Sequence, residues 1–125
     1  MQPLHSPSAP KAIGPYSQAI QTGNLIYCSG QTPINPETMQ LIEGDIGEQS
    51  TRVLKNLAAV LSSKNLTLSN VVKMNVYLTD MKDFQAMNKA YEAAFGSHRP
   101  ARTTVAVAAL PMGAKVEMEC VAEVI

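Results

Sequence analysis

The sequence has no tryptophan, two phenylalanines, two cysteines and two histidines. It also has no excess of either charge: ten Lys and Arg offset ten Asp and Glu. That balance removes the main electrostatic argument for a nucleic-acid partner, which calls for a basic excess or a basic stripe. It gives no reason to expect a charged membrane surface either. No apolar run approaches the roughly 20 residues that a membrane helix needs. Met1 to Lys11 is rich in Pro and Ser. It lacks both the apolar stretch of a secretion signal and the arginines of a mitochondrial presequence. This segment reads as a loose leader ahead of the fold. The expected location is the cytoplasm, or the mitochondrial matrix if a targeting segment has been removed.

Reactive side chains are scarce. Cys28 and Cys120 lie far apart, in no CxxC pair, inside apolar strand-like stretches. With no secretion signal they are expected as free, buried, small hydrophobes rather than a disulfide. His5 falls in the leader and His98 in a loop, so no cluster has metal-ligand spacing. GxSxG, P-loop and GxGxxG motifs are all missing. Chemistry in this chain would have to work by positioning and electrostatics, without metal or cofactor.

What remains is an ordinary globular composition, 46% apolar and 16% charged over 125 residues. That is the commonest size of one domain, and half of it would carry too little core. Residues 16–21 and 24–31 read as two strands joined at Thr22-Gly23-Asn24, where Gly23 takes a positive φ cheaply. Residues 32–44 read as loop, punctuated by Pro33, Pro36 and Gly44, with a short strand at Met39–Ile42. A helix is predicted over 46–64, its apolar face formed by Val53, Leu54, Leu57, Val60 and Leu61. In the strand at 68–79, Val72, Met74, Val76 and Leu78 alternate with Lys73, Asn75 and Tyr77. Thr79-Asp80 offers a cap for a second helix, which runs to Phe95 and stops at Gly96. Strands at 102–109 and 115–124 follow, around a turn at Leu110–Gly113. The order β-β-α-β-α-β-β predicts an α+β fold with both helices on one face of a mixed sheet. The strand at 103–109 is apolar on both sides, and Leu25, Ile26, Tyr27 and Cys28 are similarly two-sided. A strand of that kind is buried on both faces. A second copy of the chain is the economical cover for the face that the helices leave bare.

Four places invite chemistry. Arg102 opens an apolar strand after His98-Arg99-Pro100-Ala101, and its planar fork suits bidentate capture of a carboxylate. Local sequence leaves it open to a salt bridge with Glu117 or Glu119, or to simple solvation. Glu117, on the polar side of the last strand, suits water positioning or proton transfer as well as plain exposure. Tyr16, after Gly14-Pro15, suits either a lid over a small site or a half-buried core position. Ser29-Gly30-Gln31 ends the second strand, where glycine marks either a close approach or a turn.

Several segments, in order, carry a resemblance. Ala12-Ile13-Gly14-Pro15-Tyr16-Ser17-Gln18-Ala19 is similar to the N-terminal signature of the reactive intermediate deaminase A family (RidA, YjgF-type). Pro100-Ala101-Arg102-Thr103-Thr104-Val105, Leu110-Pro111 and Val116-Glu117-Met118-Glu119 resemble its C-terminal signature. Ser29-Gly30-Gln31 with Pro33 and Pro36, and Asn88 with Tyr91, fit its middle. The resemblance spans about Ala12 to Glu123. It implies a chorismate-mutase-like fold, assembled as a homotrimer with sites in the clefts between subunits. It further implies cofactor-free hydrolysis of 2-aminoacrylate-type enamines and imines, released by pyridoxal-phosphate-dependent dehydratases, to 2-oxo acids and ammonia. Under it Arg102 clamps the substrate carboxylate and Glu117 positions water and passes protons. Ser29, Gly30, Thr104 and Asn88 line the pocket. Tyr16 is expected as a lid from a neighbouring subunit.

The same resemblance also covers trimers that sense 2-oxo acids or amino acids without turnover. An endoribonuclease or translation-inhibitor activity has been attributed to relatives, against which the zero net charge stands. A holdase-type chaperone would need an exposed apolar surface. Two departures mark this chain. Met39 stands where many members have glycine after Pro-x-Thr, so a different turn is expected there. Thr103-Thr104 replaces the Ser-Cys or Ala-containing pairs that commonly follow the arginine, so Thr104 bears on substrate preference.

Overall fold

The computed structural model describes all 125 residues. In chain order the elements are β1 (Gln2–Leu4), β2 (Ala19–Thr22), β3 (Leu25–Gln31), β4 (Ile34–Asn35), β5 (Gln40–Leu41), α1 (Ile46–Ser62), β6 (Val71–Leu78), α2 (Phe84–Phe95), β7 (Ala101–Ala106) and β8 (Val116–Glu123). The main sheet runs β1-β2-β3-β8-β6-β7. All its pairings are antiparallel except β6 with β7, which makes it mixed. The predicted α+β order is present, with β1 and the small β4–β5 hairpin added to it. Gly23 supplies φ 58 in the two-residue turn between β2 and β3.

Helix α1 forms where its spacing predicts. Asp45 caps it in a capping box with Glu48, each side chain satisfying the other residue's backbone N–H. Its buried stripe of Val53, Leu54, Leu57, Val60 and Leu61 shares one core with Met87, Tyr91 and Phe95 of α2. Ile26, Cys28, Met74, Val76, Leu78, Val116, Met118, Cys120 and Ala122 of the sheet complete it. Both helices thus cover one face. Asp80 caps a short 3-10 turn (Met81–Asp83), not the second helix itself, which begins at Phe84.

Four expectations need correction. The leader is not loose: β1 pairs with β2, and Leu4, Ser6 and Ala9 are buried. Gln18 holds it, accepting from Ser6 N at 2.6 Å and donating to the carbonyls of Ser6 and Pro10 at 3.2 and 2.8 Å. In β6 the inward residue at the start is Val71 rather than Val72, which is 42% exposed. The register with β8 shifts between Val71 and Lys73, so a bulge turns one side chain out. The strand rich in Val and Ala ends at Ala106, and in the single chain β7 is an open edge, largely exposed rather than buried on both faces. Met39 does not spare the loop a glycine-type turn. Its backbone takes φ 60, and its N–H donates to the Asn35 carbonyl at 2.8 Å.

Candidate active site

Residues directly opposite one another across a sheet point to the same face. Arg102 pairs with Met74, and Met74 with Cys120, both in the core. Arg102 therefore points to the helix side. Glu117 pairs with Tyr77, and Tyr77 with Val105, on the face without helices. The two charges expected to share a site thus stand on opposite faces of one chain's sheet. A salt bridge between Arg102 and Glu117 or Glu119 is ruled out by that geometry. The chain's one ion pair joins the exposed Arg99 and Glu92 at 3.9 Å.

The half-site on the helix side is built by β7 and α2. The Arg102 guanidinium carbon lies 4.7 Å from the Tyr91 ring centre and 5.7 Å from that of Phe84. These faces hold the cation by its attraction to the ring quadrupole, leaving its N–H fork for another partner. Asn88, Tyr91, Glu92, Arg99, Pro100 and Arg102 line a cleft of about 320 Å³. Three buried oxygens here have no hydrogen-bond partner: Asn88 Oδ1, Tyr91 Oη and, two residues beyond Arg102, Thr104 Oγ1. Buried polar atoms are rarely left so, and a cluster around a free arginine marks a place for a polar ligand. Burial pushes the Tyr91 phenol up, with the Arg102 charge working the other way. In the sequence Tyr91 was legible as part of the apolar stripe of α2 and, with Asn88, as part of the family resemblance. The one sequence signal for its hydroxyl was its position three residues after Asn88, on the same helix face.

The other half-site is a cavity of about 410 Å³ whose lining includes Lys11, Tyr16, Ser29, Gly30 and Glu117. The strands place these residues through a bulge. Cys28 pairs with Cys120 and Gln31 with Met118, so Ser29 and Gly30 together oppose Glu119 alone. Ser29 is tied down, its hydroxyl donating to the Ser17 carbonyl at 2.6 Å. Gln49 of α1 accepts from Lys115 N at 3.0 Å and so fixes the start of β8. A Cβ on Gly30 would come 2.1 Å from Glu117 Oε2. The glycine is therefore needed for the close approach of a carboxylate. Burial first, and then the neighbouring Glu119 charge, raise the Glu117 pKa above its ordinary value of 4.5. Such a carboxyl is suited to exchange protons nearer neutrality. Tyr16, 49% exposed, lies against this cavity within its own chain.

One chain thus holds an arginine without an ion-pair partner on one side of the sheet and a half-buried carboxyl of raised pKa on the other. This is a class of small mixed-sheet α+β domain whose two candidate charged groups lie on opposite faces of one sheet. Comparison with known proteins gives the class its family. Residues 6–124 match the family described as endoribonuclease L-PSP, and the chain belongs to it, the RidA/YjgF family. A RutC family protein of Pyrococcus abyssi is 48% identical over 119 residues, covering 95% of this chain and 94% of its own. A mouse protein named 2-iminobutanoate/2-iminopropanoate deaminase is 44% identical over 119 residues, 95% of this chain and 88% of its own. The crystal structure of RidA from an Antarctic Psychrobacter superposes with a TM-score of 0.95 at 42% identity, covering 99% of this chain and 100% of that one. The chorismate-mutase-like fold is shared with these structures.

Proposed function

We propose that this protein hydrolyses small enamine and imine acids, of the 2-aminoacrylate and 2-aminocrotonate type, to 2-oxo acids and ammonia. The observation that carries the reading is the division of the site. An arginine without an anionic partner, cradled by aromatic faces and orphaned oxygens, suits a carboxylate. A carboxyl with a raised pKa suits proton exchange with the atoms next to it. The name of the mouse relative supports the same chemistry.

The centre forms where the open edge β7 of one subunit meets the helix-free sheet face of the next. That face exposes Tyr27 and Val105, which are 49% and 42% accessible in the single chain. A homotrimer closes three such junctions with one kind of contact. Arg102 binds the substrate carboxylate in a bidentate pair and fixes the plane of the C=N bond. Protonation of the enamine's terminal carbon converts the C=C bond to C=N. Glu117, from the other subunit, then orients a water whose oxygen adds to C2 while a proton goes to the carboxylate. Return of that proton to nitrogen lets ammonia leave from the carbinolamine as the carbonyl forms, and the hydroxyl proton passes to the Glu117 carboxylate, which restores the proton spent on the enamine carbon. Thr104 and Asn88 hold the amine or carboxylate edge, Ser29 and Gly30 frame Glu117, and Tyr16 narrows access from bulk water. Pyridoxal-phosphate-dependent dehydratases would supply the substrate, in the cytoplasm.

The test generates 2-aminocrotonate in place with a threonine dehydratase and follows 2-oxobutyrate release. Wild type accelerates release. Arg102→Ala, which loses a charge-assisted pair of roughly 2–4 kcal/mol, runs on the order of 30- to 1000-fold slower. A wild type equal to the protein-free control across several enamines overturns hydrolysis and leaves a trimer that binds 2-oxo acids without turnover. The ribonuclease description of the family is met by assaying RNA in parallel; cleavage that Arg102→Ala leaves intact does not come from this site.

A further inference from the structure

The helix-free face holds more acid chemistry than the proposed reaction uses. Its rows across the sheet are Glu117–Tyr77–Val105, Glu119–Asn75–Thr103 and Tyr27–Val121–Lys73–Ala101. Glu117 and Glu119 are two residues apart on one strand, so both side chains project on this side from backbone positions about 7 Å apart along β8. Tyr77 stands directly opposite Glu117, yet its hydroxyl reaches diagonally and donates to Glu119 Oε1 at 2.5 Å. The two carboxyls are therefore unlike. One accepts a short, charge-assisted hydrogen bond, and the other is half-buried against the backbone at Gly30 with no side-chain donor.

We propose that Tyr77 and Glu119 are a positioning pair for Glu117: the Tyr77 hydroxyl pins the Glu119 carboxylate as the fixed anion, and the exchangeable proton of the two carboxyls resides on Glu117. This deepens the hydrolase reading and rests on it for its purpose. The physical ground is that a hydrogen bond donated to a carboxylate favours its charged form, while a like charge close by disfavours ionisation of its neighbour. When two acids interact in this way, their surroundings decide which one keeps the proton.

The titrations run the same way. Tyr77 is pushed up to about 12, first by the hydrogen bond to Glu119, then by burial and by the charges of Glu119 and Glu117. That phenol stays a donor throughout the working range. Glu117 is raised by burial and then by Glu119. The other charged and titratable groups facing Glu117 are few. Lys11 and Tyr16 line its cavity from the leader side, and Lys11 is exposed to water that screens it. Tyr27 lies on β3, and Glu123 further along β8. Lys73 of β6 spends its ammonium on the Thr103 hydroxyl at 2.9 Å. The β7 residues on this face, Ala101, Thr103 and Val105, do not titrate in the working range. Within one chain none of these offers Glu117 a cation in contact, so after burial Glu119 is the charge that raises its proton affinity; the neighbour's Arg102, brought near where subunits meet, is common to wild type and to the variants compared below.

The test is a pH titration of the side-chain carboxyl carbons in full-length assembled protein labelled at glutamate, with Glu117→Gln to assign the signal. In Glu119→Gln, Glu117 loses its charged neighbour, and its midpoint moves down in pH. In Tyr77→Phe the pinned carboxylate is released to share the proton, and the Glu117 midpoint again moves down, by less. The pH–rate profile for enamine hydrolysis shifts in the same direction. Since the titration needs no turnover, a protein that fails to hydrolyse enamines but shows these shifts separates the two proposals. A Glu117 midpoint unmoved in both variants overturns the positioning pair. So does a Tyr77→Phe variant that loses rate at every pH without any change in profile, because that is the mark of a merely structural side chain.

Discussion

Glu117 occupies the space in which a side chain at position 30 would begin: its Oε2 is 2.1 Å from where a Gly30 Cβ would stand. The atom in the way is the tip of a flexible side chain rather than backbone. Gly30→Ala is therefore expected to fold, with a stability change of about 1 kcal/mol or less, while swinging the carboxylate out of place. Activity falls by at least the 100-fold that a displaced proton-transfer group costs. Steady-state rates together with a melting curve check both halves, and a variant as active as wild type shows that Glu117 works from some other position.

Because Arg102 and Glu117 of one chain lie on opposite sheet faces, a complete centre takes one from each of two subunits. Arg102→Ala and Glu117→Gln are each expected to be nearly inactive. Mixed, unfolded and refolded together, they recover activity. With random assembly half the junctions have a usable arginine and half of those a usable glutamate, so recovery reaches about a quarter of wild type. Activity that stays at the level of the two separate variants would place both groups in one chain's own site.

The raised affinity of Glu117 for its proton is also a statement about stability. A carboxyl whose pKa is higher folded than unfolded stabilises the fold below its ordinary value of 4.5, and that contribution is lost as pH rises through the folded value. Glu117→Gln removes the ionising group. The variant is expected to match wild type near pH 4 and to melt higher than wild type at pH 8. Thermal denaturation across this range measures it, and a gap of the opposite sign at pH 8 would mean that the charged form is stabilised in the fold.

Met39 sits at φ 60, a conformation that suits glycine and costs an ordinary side chain about 1 kcal/mol or more. Met39→Gly relieves this and gives back part of the gain through a more flexible unfolded chain. A net stabilisation of roughly 0.5–1 kcal/mol is expected in urea titrations. Met39 lines neither the Arg102 cleft nor the Glu117 cavity, so hydrolysis rates should not change.

The local patterns were sufficient for the elements. The spacing of Val53, Leu54, Leu57, Val60 and Leu61 specifies a helix with one buried stripe, and alternation in β6 and β8 specifies strands, because both periods are properties of a few consecutive residues. The signature segments around Tyr16, Gly30, Arg102 and Glu117 likewise marked residues that the fold places beside cavities. What sequence could not supply depends on partners distant in the chain. The leader is anchored by Gln18 through hydrogen bonds to Ser6 and Pro10, and no local propensity encodes such a pairing. A single bulge decides that Val71 rather than Val72 enters the core. Above all, the face on which Arg102 lies follows from the parallel register of β7 on β6, where a slip of one residue would send it to the other side. The sequence determined by itself which residues carry charge, aromatic surface and a missing side chain. Only the tertiary structure decided that the sheet separates Arg102 from Glu117, since strand register is set by packing across the whole core.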